Sequence, residues 1–147
     1  MAVAKLKLDI EEMAEGFFED SRLLGIVAPI KDYHFCWQLN HLFRFNLRVN
    51  NNIEIQLTKK KRNYFFTVFE YNEQNSALTH YLYNNKFDGE YLLPEFKHTD
   101  FLWLMKGDAV DDSRFETISK AIRGMNGVQM VTELTNEKIT HKGHLIF

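Results

Sequence analysis

Short apolar segments separated by polar clusters occupy the middle of the chain, and this pattern constrains the fold more than any other feature. NIEIQLT alternates, so that Ile53, Ile55 and Leu57 share one face of a predicted strand. NYFFTVFEY and FLWLMK are apolar on both faces, as central strands are. LTHYLYNN and residues 90–93 predict two more strands, and the turns are KKKRN, NEQNS and NNKFDG with its Asp88-Gly89 pair. We therefore expect an antiparallel meander.

Strands are also predicted toward both ends of the sequence. KLKLDI places Leu6, Leu8 and Ile10 on one face, and RLLGIVAP predicts a buried strand that ends at Pro29. GVQMVTEL predicts a further strand, and HKGHLIF predicts a last extended segment. EEMAEGFFEDS is polar and contains Gly16, and we assign it no regular element.

A first helix is predicted after Pro29. Asp32 is the expected N-cap, because its side chain can accept a backbone hydrogen bond in the first turn. Arg44 and Arg48 would lie in the last turns, where cations favour the helix dipole. The apolar residues that recur at helical spacing are Tyr33, Cys36, Leu39, Phe43 and Leu47.

The second predicted helix has the clearest start signal in the sequence. Ser113 and Glu116 form an S-x-x-E pattern, which is typical of a capping box. Gly124 and Gly127 provide stops beyond it. The face expected to be buried is formed by Phe115, Ile118, Ile122 and Met125.

Together these elements predict an α+β fold. We expect a largely antiparallel sheet of about six to eight strands, with the two main helices packed on one face. The 147 residues contain no linker or low-complexity run, which favours a single domain over 1–147. The 14% aromatic content fits a sheet with a large aromatic core.

Charge and cysteine content bound the function classes. The formal net charge is -2, so no global positive field attracts nucleic acid or anionic lipid. Cys36 is the single cysteine, which excludes an internal disulfide and suits a reducing compartment. The first residues lack the continuous apolar segment of a signal peptide, and no apolar run approaches the ~20 residues of a membrane span. We expect a cytoplasmic protein that contacts no membrane.

The segment LLPEFKHTDFLWL, residues 92–104, is the densest group of chemically active side chains. Glu95, His98 and Asp100 could form an acid–base set in a turn. Alternatively, the two carboxylates accept backbone N–H bonds in a tight connection, with Phe96 and Phe101 as core anchors. We favour the structural interpretation, because no nucleophile or phosphate loop accompanies the three side chains.

The same segment resembles the signature of the bacterial IPExxxVDY protein family. Leu93, Pro94 and Glu95 fall on its I-P-E, Asp100 and Phe101 fall on its D-Y, and Thr99 replaces its valine. LLGI at 23–26, the DY…W..LN pattern at 32–40, MKG at 105–107 where the FLWLMK strand ends, and the final L-I-F are also similar. The family is described by its motif and not by an activity. The resemblance implies a small standalone cytoplasmic protein with no cofactor and no catalytic residue.

A basic run at 59–62 is the one cluster that suggests nucleic acid. Lys59, Lys60, Lys61 and Arg62 precede three aromatic residues, and such mixtures can bind single strands. A basic turn between two strands is more often a solvated turn that protects a sheet edge. An RNA- or ribosome-associated role is therefore an alternative to our main interpretation.

The remaining candidate groups favour structural roles. His141 and His144 lie three residues apart near Glu137, but a zinc site needs three or four ligands. Cys36 lies on the expected apolar face of the first helix, which favours a buried thiol over a nucleophile. We therefore expect no metal and no cofactor.

These observations favour a non-catalytic binding or adaptor domain. No catalytic motif occurs, and surplus aromatic side chains could line a partner groove. The expected partner is another protein or a second copy of the chain. An enzyme that uses Glu95, His98 and Asp100 is the second alternative.

Overall fold

A computed structural model describes residues 12–147, so the strand predicted at residues 6–10 lies outside the described residues. Three helices and ten strands make up this part of the chain. The helices are α1 (residues 12–17), α2 (Asp32–Phe43) and α3 (Asp112–Arg123). The strands are β1 (Arg22–Val27), β2 (Arg48–Val49), β3 (Ile55–Lys59), β4 (Arg62–Phe66), β5 (Val68–Asn72), β6 (Thr79–Asn84), β7 (Lys86–Phe87), β8 (Glu90–Tyr91), β9 (Phe101–Lys106) and β10 (Met130–Glu133).

The main sheet has six strands in the order β10-β1-β9-β6-β5-β2. Every neighbouring pair is antiparallel. β9 and β10 both run antiparallel to β1, so they are parallel to each other, with α3 connecting them. Two small two-stranded sheets, β3-β4 and β7-β8, complete the described architecture. The predicted α+β fold with a largely antiparallel sheet is confirmed.

β9 is buried on both faces, as its apolar sequence predicts. Phe101, Trp103 and Met105 belong to one hydrophobic core, and Leu102 and Leu104 belong to the other. Because successive side chains of a strand point to opposite faces, the two cores lie on opposite sides of the sheet. We call them the helix-side core and the far-side core.

Each core has its own cover. α2 and α3 cover the helix-side core through Phe35, Leu39, Phe115 and Ile122, which confirms that both main helices pack on one face. The far-side core includes residues of the β3-β4 hairpin, the β8–β9 connection and the C-terminal segment: Ile55, Tyr64, Phe66, Leu92, Leu93, Ile139 and Leu145. This second covering layer had no counterpart in the sequence prediction.

The segment NYFFTVFEY is two strands, and the prediction of one central strand was wrong. β4 ends at Phe66 and β5 begins at Val68, so Thr67 separates two different sheets. Tyr64 and Phe66 face the far-side core, whereas Phe65 between them is exposed. Because Phe65 is apolar although it is exposed, the sequence of the segment looks like that of a strand buried on both faces.

α2 begins and ends differently from the prediction. Lys31 is its N-cap, and Asp32 lies in the first turn. Arg44 has a left-handed backbone (φ 56°), which ends the helix before Leu47. Leu47 is still buried, because the Asn40 side chain accepts from Leu47 N–H (2.8 Å) and donates to its carbonyl (3.2 Å). Tyr33, predicted on the buried face, is 69% exposed.

α3 has the predicted buried face but another cap. Asp111 is the N-cap, and its carboxylate accepts the Arg114 backbone N–H at 2.7 Å. Ser113 already lies inside the helix, so the predicted Ser113–Glu116 capping box does not form. Aspartate competes well as an N-cap because its charge also complements the helix dipole.

Two terminal segments also differ from the prediction. Residues 12–17, which we assigned no regular element, are helical. HKGHLIF contains a 3-10 turn at Lys142–Leu145 instead of an extended strand. Leu145 is fully buried in the far-side core, and Tyr83 donates its hydroxyl to the Leu145 carbonyl at 2.8 Å. None of the helices found between residues 12 and 147 is both long and apolar enough to cross a membrane.

Gly107 provides a test of the turn that follows β9. Its φ is +101°, and a Cβ at this position would overlap the carbonyl oxygen of Ala77. Gly89 also has a positive φ (+84°), but a Cβ there meets no atom within 4 Å. We expect Gly89→Ala to lower the free energy of unfolding by about 1 kcal/mol, the cost of a left-handed alanine. Gly107→Ala should cost about 1–3 kcal/mol more because of the overlap.

Urea unfolding of both variants, followed by circular dichroism, measures this difference. Equal destabilisation by Gly107→Ala and Gly89→Ala would contradict the close approach of Gly107 to Ala77.

Candidate functional site

The β8–β9 connection, which carries the predicted motif, is organised by one buried amide. Asn85 is fully buried, and its Oδ1 accepts the Leu93 backbone N–H at 2.8 Å. Its Nδ2 donates to the carbonyls of Phe96 (3.0 Å) and Thr99 (2.9 Å). Pro94 occupies the first position of a 3-10 turn, where its missing N–H costs no hydrogen bond. Asn85 therefore satisfies backbone groups that the irregular connection leaves without partners.

Glu95 connects this turn to the C-terminal segment. Its Oε2 accepts the backbone N–H groups of Thr140 (2.7 Å) and His141 (2.9 Å) and the Thr140 hydroxyl (2.9 Å). Its Oε1 lies 2.9 Å from Nδ1 of His141. Burial alone would raise the pKa of Glu95, but the backbone N–H groups and the Thr140 hydroxyl lower it to about 2. This carboxylate is ionised and fully engaged at neutral pH.

Asp100 connects a different pair of segments. Its Oδ2 accepts the Ala28 backbone N–H at 2.8 Å, and its own N–H donates to the Ile26 carbonyl at 2.9 Å. The start of β9 is thereby held against the end of β1. Asp100 also lines an open cleft of about 740 Å³, together with Asp32, His34, Lys86 and other residues.

The three candidate acid–base residues serve separate contacts. Glu95 bonds to residues 140–141, Asp100 bonds to Ala28, and His98 is exposed. Within residues 12–147, no hydrogen bond joins any two of the three. A carboxylate that already accepts four hydrogen bonds with a pKa near 2 is a poor general acid or base at neutral pH. The geometry supports a structural role for the motif.

The basic run forms the tip of the β3-β4 hairpin, and two of its cations are paired. Lys60 and Lys61 have φ values of 50° and 63°, as a tight two-residue hairpin turn requires. Lys59 contacts Glu90 at 2.9 Å, and Arg62 pairs with Asp88. Both acidic partners come from the β7-β8 hairpin. These pairs reduce the positive charge available for a phosphate backbone.

A buried polar chain, which sequence reasoning missed, crosses the helix-side core. Trp103 Nε1 donates to Nδ1 of His80 at 3.0 Å, and His80 Nε2 lies 2.7 Å from Glu73 Oε2. Arg114 of α3 also pairs with Glu73. Indole N–H can only donate, so Nδ1 of His80 must accept, and Nε2 carries the proton toward Glu73. Glu73 and His80 lie 7 residues apart, but Trp103 lies 23 residues from His80 and Arg114 lies 41 residues from Glu73, so no local sequence pattern predicts the set.

This chain of bonds favours a neutral His80. Burial lowers the pKa of His80, and the Glu73 hydrogen bond opposes that effect only in part. For Glu73, burial would raise the pKa, but the bonds from His80 and Arg114 lower it. The arrangement resembles a catalytic relay, but its third member is a buried indole and not a nucleophile. It stabilises the core by satisfying polar groups there.

The remaining candidates contribute little chemistry. Burial, and then the nearby Asp32 carboxylate, raise the pKa of Cys36 to about 12, which leaves the thiol unreactive. The His141 and His144 ring centroids lie 4.9 Å apart, with the planes tilted by 35°, and the Nδ1 atom of each ring already has a protein partner. In the described part of the chain, no group of three or more His, Cys, Asp or Glu side chains could hold a metal.

The outer face of α2 exposes two large aromatic side chains. Tyr33 is 69% exposed and Trp37 is 58% exposed, four residues apart on the side opposite the buried Phe35 and Leu39. The rings of Trp37 and His41 are in contact, with centroids 4.1 Å apart and planes tilted by 37°. We call Tyr33, Trp37 and His41 the aromatic stripe. Exposed rings that share a helix face are typical of a contact surface.

No protein-family model and no curated protein matches this chain. The resemblance to the IPExxxVDY family therefore stays a prediction.

The Glu95 contacts predict a measurable loss of stability. Glu95→Gln keeps the size of the side chain but removes the charge that four donors solvate. We expect the free energy of unfolding to fall by about 2 kcal/mol at pH 7, as for hydrogen bonds to a charged group. Glu54→Gln, at an exposed position, is the matched control. An equal effect of the two changes on urea unfolding would contradict the role of Glu95.

His80 predicts a particular pH dependence. A buried histidine with a lowered pKa resists protonation, whereas the unfolded chain takes up the proton below about 6.5. The contribution of neutral His80 to the free energy of unfolding is therefore complete above that pH, and it is lost as the pH falls below it. His80→Gln should flatten the dependence of the unfolding free energy between about pH 5 and 7. The exposed control His98→Gln should keep the wild-type slope, and an unchanged slope in His80→Gln would exclude His80 as its source.

Proposed function

We propose that this chain is a non-catalytic protein-binding domain and that its partner docks on the aromatic stripe of α2. The single observation that carries the proposal is the exposure of Tyr33 and Trp37 on one helix face. Burial of aromatic rings is the commonest source of binding energy at protein interfaces. The rings cost little conformational entropy on binding, because each has only two side-chain torsions.

The fate of the other candidate groups supports the same function. The Glu95 carboxylate accepts hydrogen bonds from groups within the chain, and one carboxylate oxygen of Asp100 accepts the Ala28 backbone N–H. The basic turn has two of its four cations in ion pairs. The exposed groups that remain for these alternatives, Lys60 and Lys61 for nucleic acid and His98 for catalysis, offer neither a continuous basic groove nor a second catalytic group in contact.

We also infer a cytoplasmic location and membership of the bacterial IPExxxVDY family. The single cysteine is buried and unreactive, which suits a reducing compartment. The positions that carry the resemblance have definite structural roles: Pro94 starts the turn, Glu95 holds the C-terminal segment and Asp100 holds the end of β1. These roles support a motif that specifies the fold.

Comparative affinity capture tests the docking surface. The proteins captured by the tagged wild type and by the double variant Tyr33→Ser/Trp37→Ser are compared after each is expressed in the organism that naturally makes the protein. We expect the variant to lose its specific partner, with affinity reduced more than about tenfold, because aromatic anchors contribute about 2 kcal/mol or more each. Circular dichroism should show an unchanged fold, since both side chains are exposed.

The matched control is Phe65→Ser/Met130→Ser, which removes two other exposed apolar side chains, on β4 and β10. This control should retain the partner. Equal retention by both double variants would contradict docking on α2.

A further inference from the structure

The turn between α3 and β10 contains a dipeptide with its own covalent chemistry. Asn126 and Gly127 form the single Asn-Gly pair in the sequence, and a residue with a side chain follows every other asparagine. The backbone nitrogen of the residue after an asparagine can attack the carboxamide carbon, which closes a five-membered imide ring. Glycine offers the least hindered nitrogen for this attack, because it has no Cβ.

The structure leaves both reacting groups of this pair without hydrogen bonds. Asn126 is exposed, and no hydrogen bond within residues 12–147 involves its side chain. The Gly127 N–H likewise has no acceptor in that part of the chain. The turn is closed by one hydrogen bond, from the Val128 N–H to the Met125 carbonyl at 3.2 Å. Such a bond contributes only about 1 kcal/mol, so the turn can open and bring the Gly127 nitrogen to the Asn126 Cγ.

A related pair on the β7-β8 hairpin lacks this reactivity. Asp88 precedes Gly89, and the Asp88 carboxylate is ion-paired with Arg62. An ionised carboxylate repels a nucleophile and has no good leaving group, whereas a neutral carboxamide can lose ammonia. The two dipeptides therefore share the glycine but differ in the group that is attacked.

The reaction at Asn126 balances with water as the only co-reactant. The Gly127 nitrogen loses its proton and forms a bond to the Asn126 Cγ, the Cγ–Nδ2 bond breaks, and ammonia leaves. Water then opens the imide at one of its two carbonyls. Attack at Cγ gives aspartate, whereas attack at the backbone carbonyl gives isoaspartate, in which the main chain continues through Cβ and Cγ. Either product places a carboxylate where a neutral amide stood.

The turn has little room for the isoaspartate product. Isoaspartate adds one carbon to the main chain, which lengthens its path by about 1.5 Å. Directly after the turn, the Gln129 N–H bonds to the Val27 carbonyl at 2.7 Å. Within the turn, a Cβ on Gly127 would lie 2.9 Å from Cγ2 of Ile30, so the backbone cannot bulge toward Ile30. The added length must be taken up elsewhere.

We propose that Asn126 is a site of spontaneous deamidation and that its isoaspartate product loosens β10. β10 is the outermost strand at one end of the main sheet and pairs with β1 alone. Because the turn leads directly into this strand, a shift of β10 against β1 accommodates the added carbon with the fewest lost contacts. This inference is independent of the docking surface on α2.

Mass spectrometry of aged protein tests the site. The full chain is incubated at neutral and at mildly alkaline pH and then digested. We expect a mass increase of about 1 Da in the peptide that contains residue 126. The increase should form faster at the higher pH, because the attacking nitrogen must lose its proton. An isoaspartyl methyltransferase, which methylates only isoaspartate, should label the same peptide.

Two variants show whether the reaction depends on this position. Asn126→Gln keeps the carboxamide but moves it one carbon away from the attacking nitrogen, so conversion should slow at least about tenfold. Asn75→Gln changes another exposed asparagine in a turn and should leave conversion at residue 126 at the wild-type rate. Conversion at a different asparagine instead of 126, or equal conversion in Asn126→Gln, would overturn the site.

Hydrogen exchange tests the effect on β10. The N–H groups of Gln129 and Leu134 bond to the Val27 and Leu23 carbonyls of β1. In the isoaspartate fraction of aged wild type, these two amides should exchange about tenfold faster, with α2 unchanged. Aged Asn126→Gln should match fresh protein. Unchanged exchange at Gln129 and Leu134 in the converted fraction, or equal acceleration in α2, would overturn the loosening of β10.

Discussion

The burial of β9 on both faces is the constraint on which the rest of the structure depends. A strand with apolar side chains on both sides needs a cover on each side, or one row of its side chains meets water. Two helices supply one cover, and a hairpin with the C-terminal segment supplies the other. The first cover consists of two helices, whereas the second combines the β3-β4 hairpin with irregular segments that specific polar contacts hold in place.

Those polar contacts explain why the motif around Pro94 combines apolar and charged residues. The connection crosses the far side of the sheet, where Leu92 and Leu93 are fully buried. The backbone of this connection does not pair with a strand, so the buried Asn85 side chain forms hydrogen bonds with it. The Glu95 carboxylate accepts backbone N–H groups of the neighbouring C-terminal segment. Both side chains therefore maintain the irregular part of the far-side cover.

The sequence predicts the elements whose signals are local. The apolar run FLWLMK, the buried face of α3 and the alternation of Ile53, Ile55 and Leu57 depend on spacing within one segment, and the structure agrees with each of them. The prediction of one central strand for NYFFTVFEY was wrong, because hydrophobic periodicity does not distinguish the exposed Phe65 from a buried phenylalanine. At α3 the sequence has two possible N-cap residues, and the structure uses Asp111 instead of the predicted Ser113.

The candidate site was less predictable because its contacts connect distant parts of the chain. The partners of Glu95 lie 45 and 46 residues away, and Asp100 reaches a backbone group 72 residues away. In the buried polar chain, Arg114 bonds to Glu73 across 41 residues, and Trp103 bonds to His80 across 23 residues. Residue type alone indicated that Glu95 and Asp100 would accept hydrogen bonds, but spacing carried no information about their donors.

The position of Leu145 has a consequence for biosynthesis. Leu145 packs in the far-side core, yet it is synthesised only after the ten strands described between residues 12 and 147. Until then the underside of the sheet around Tyr83 lacks its last cover. The far-side core can therefore be completed only after residues 142–145 have been synthesised, and until then apolar surface around Tyr83 stays uncovered.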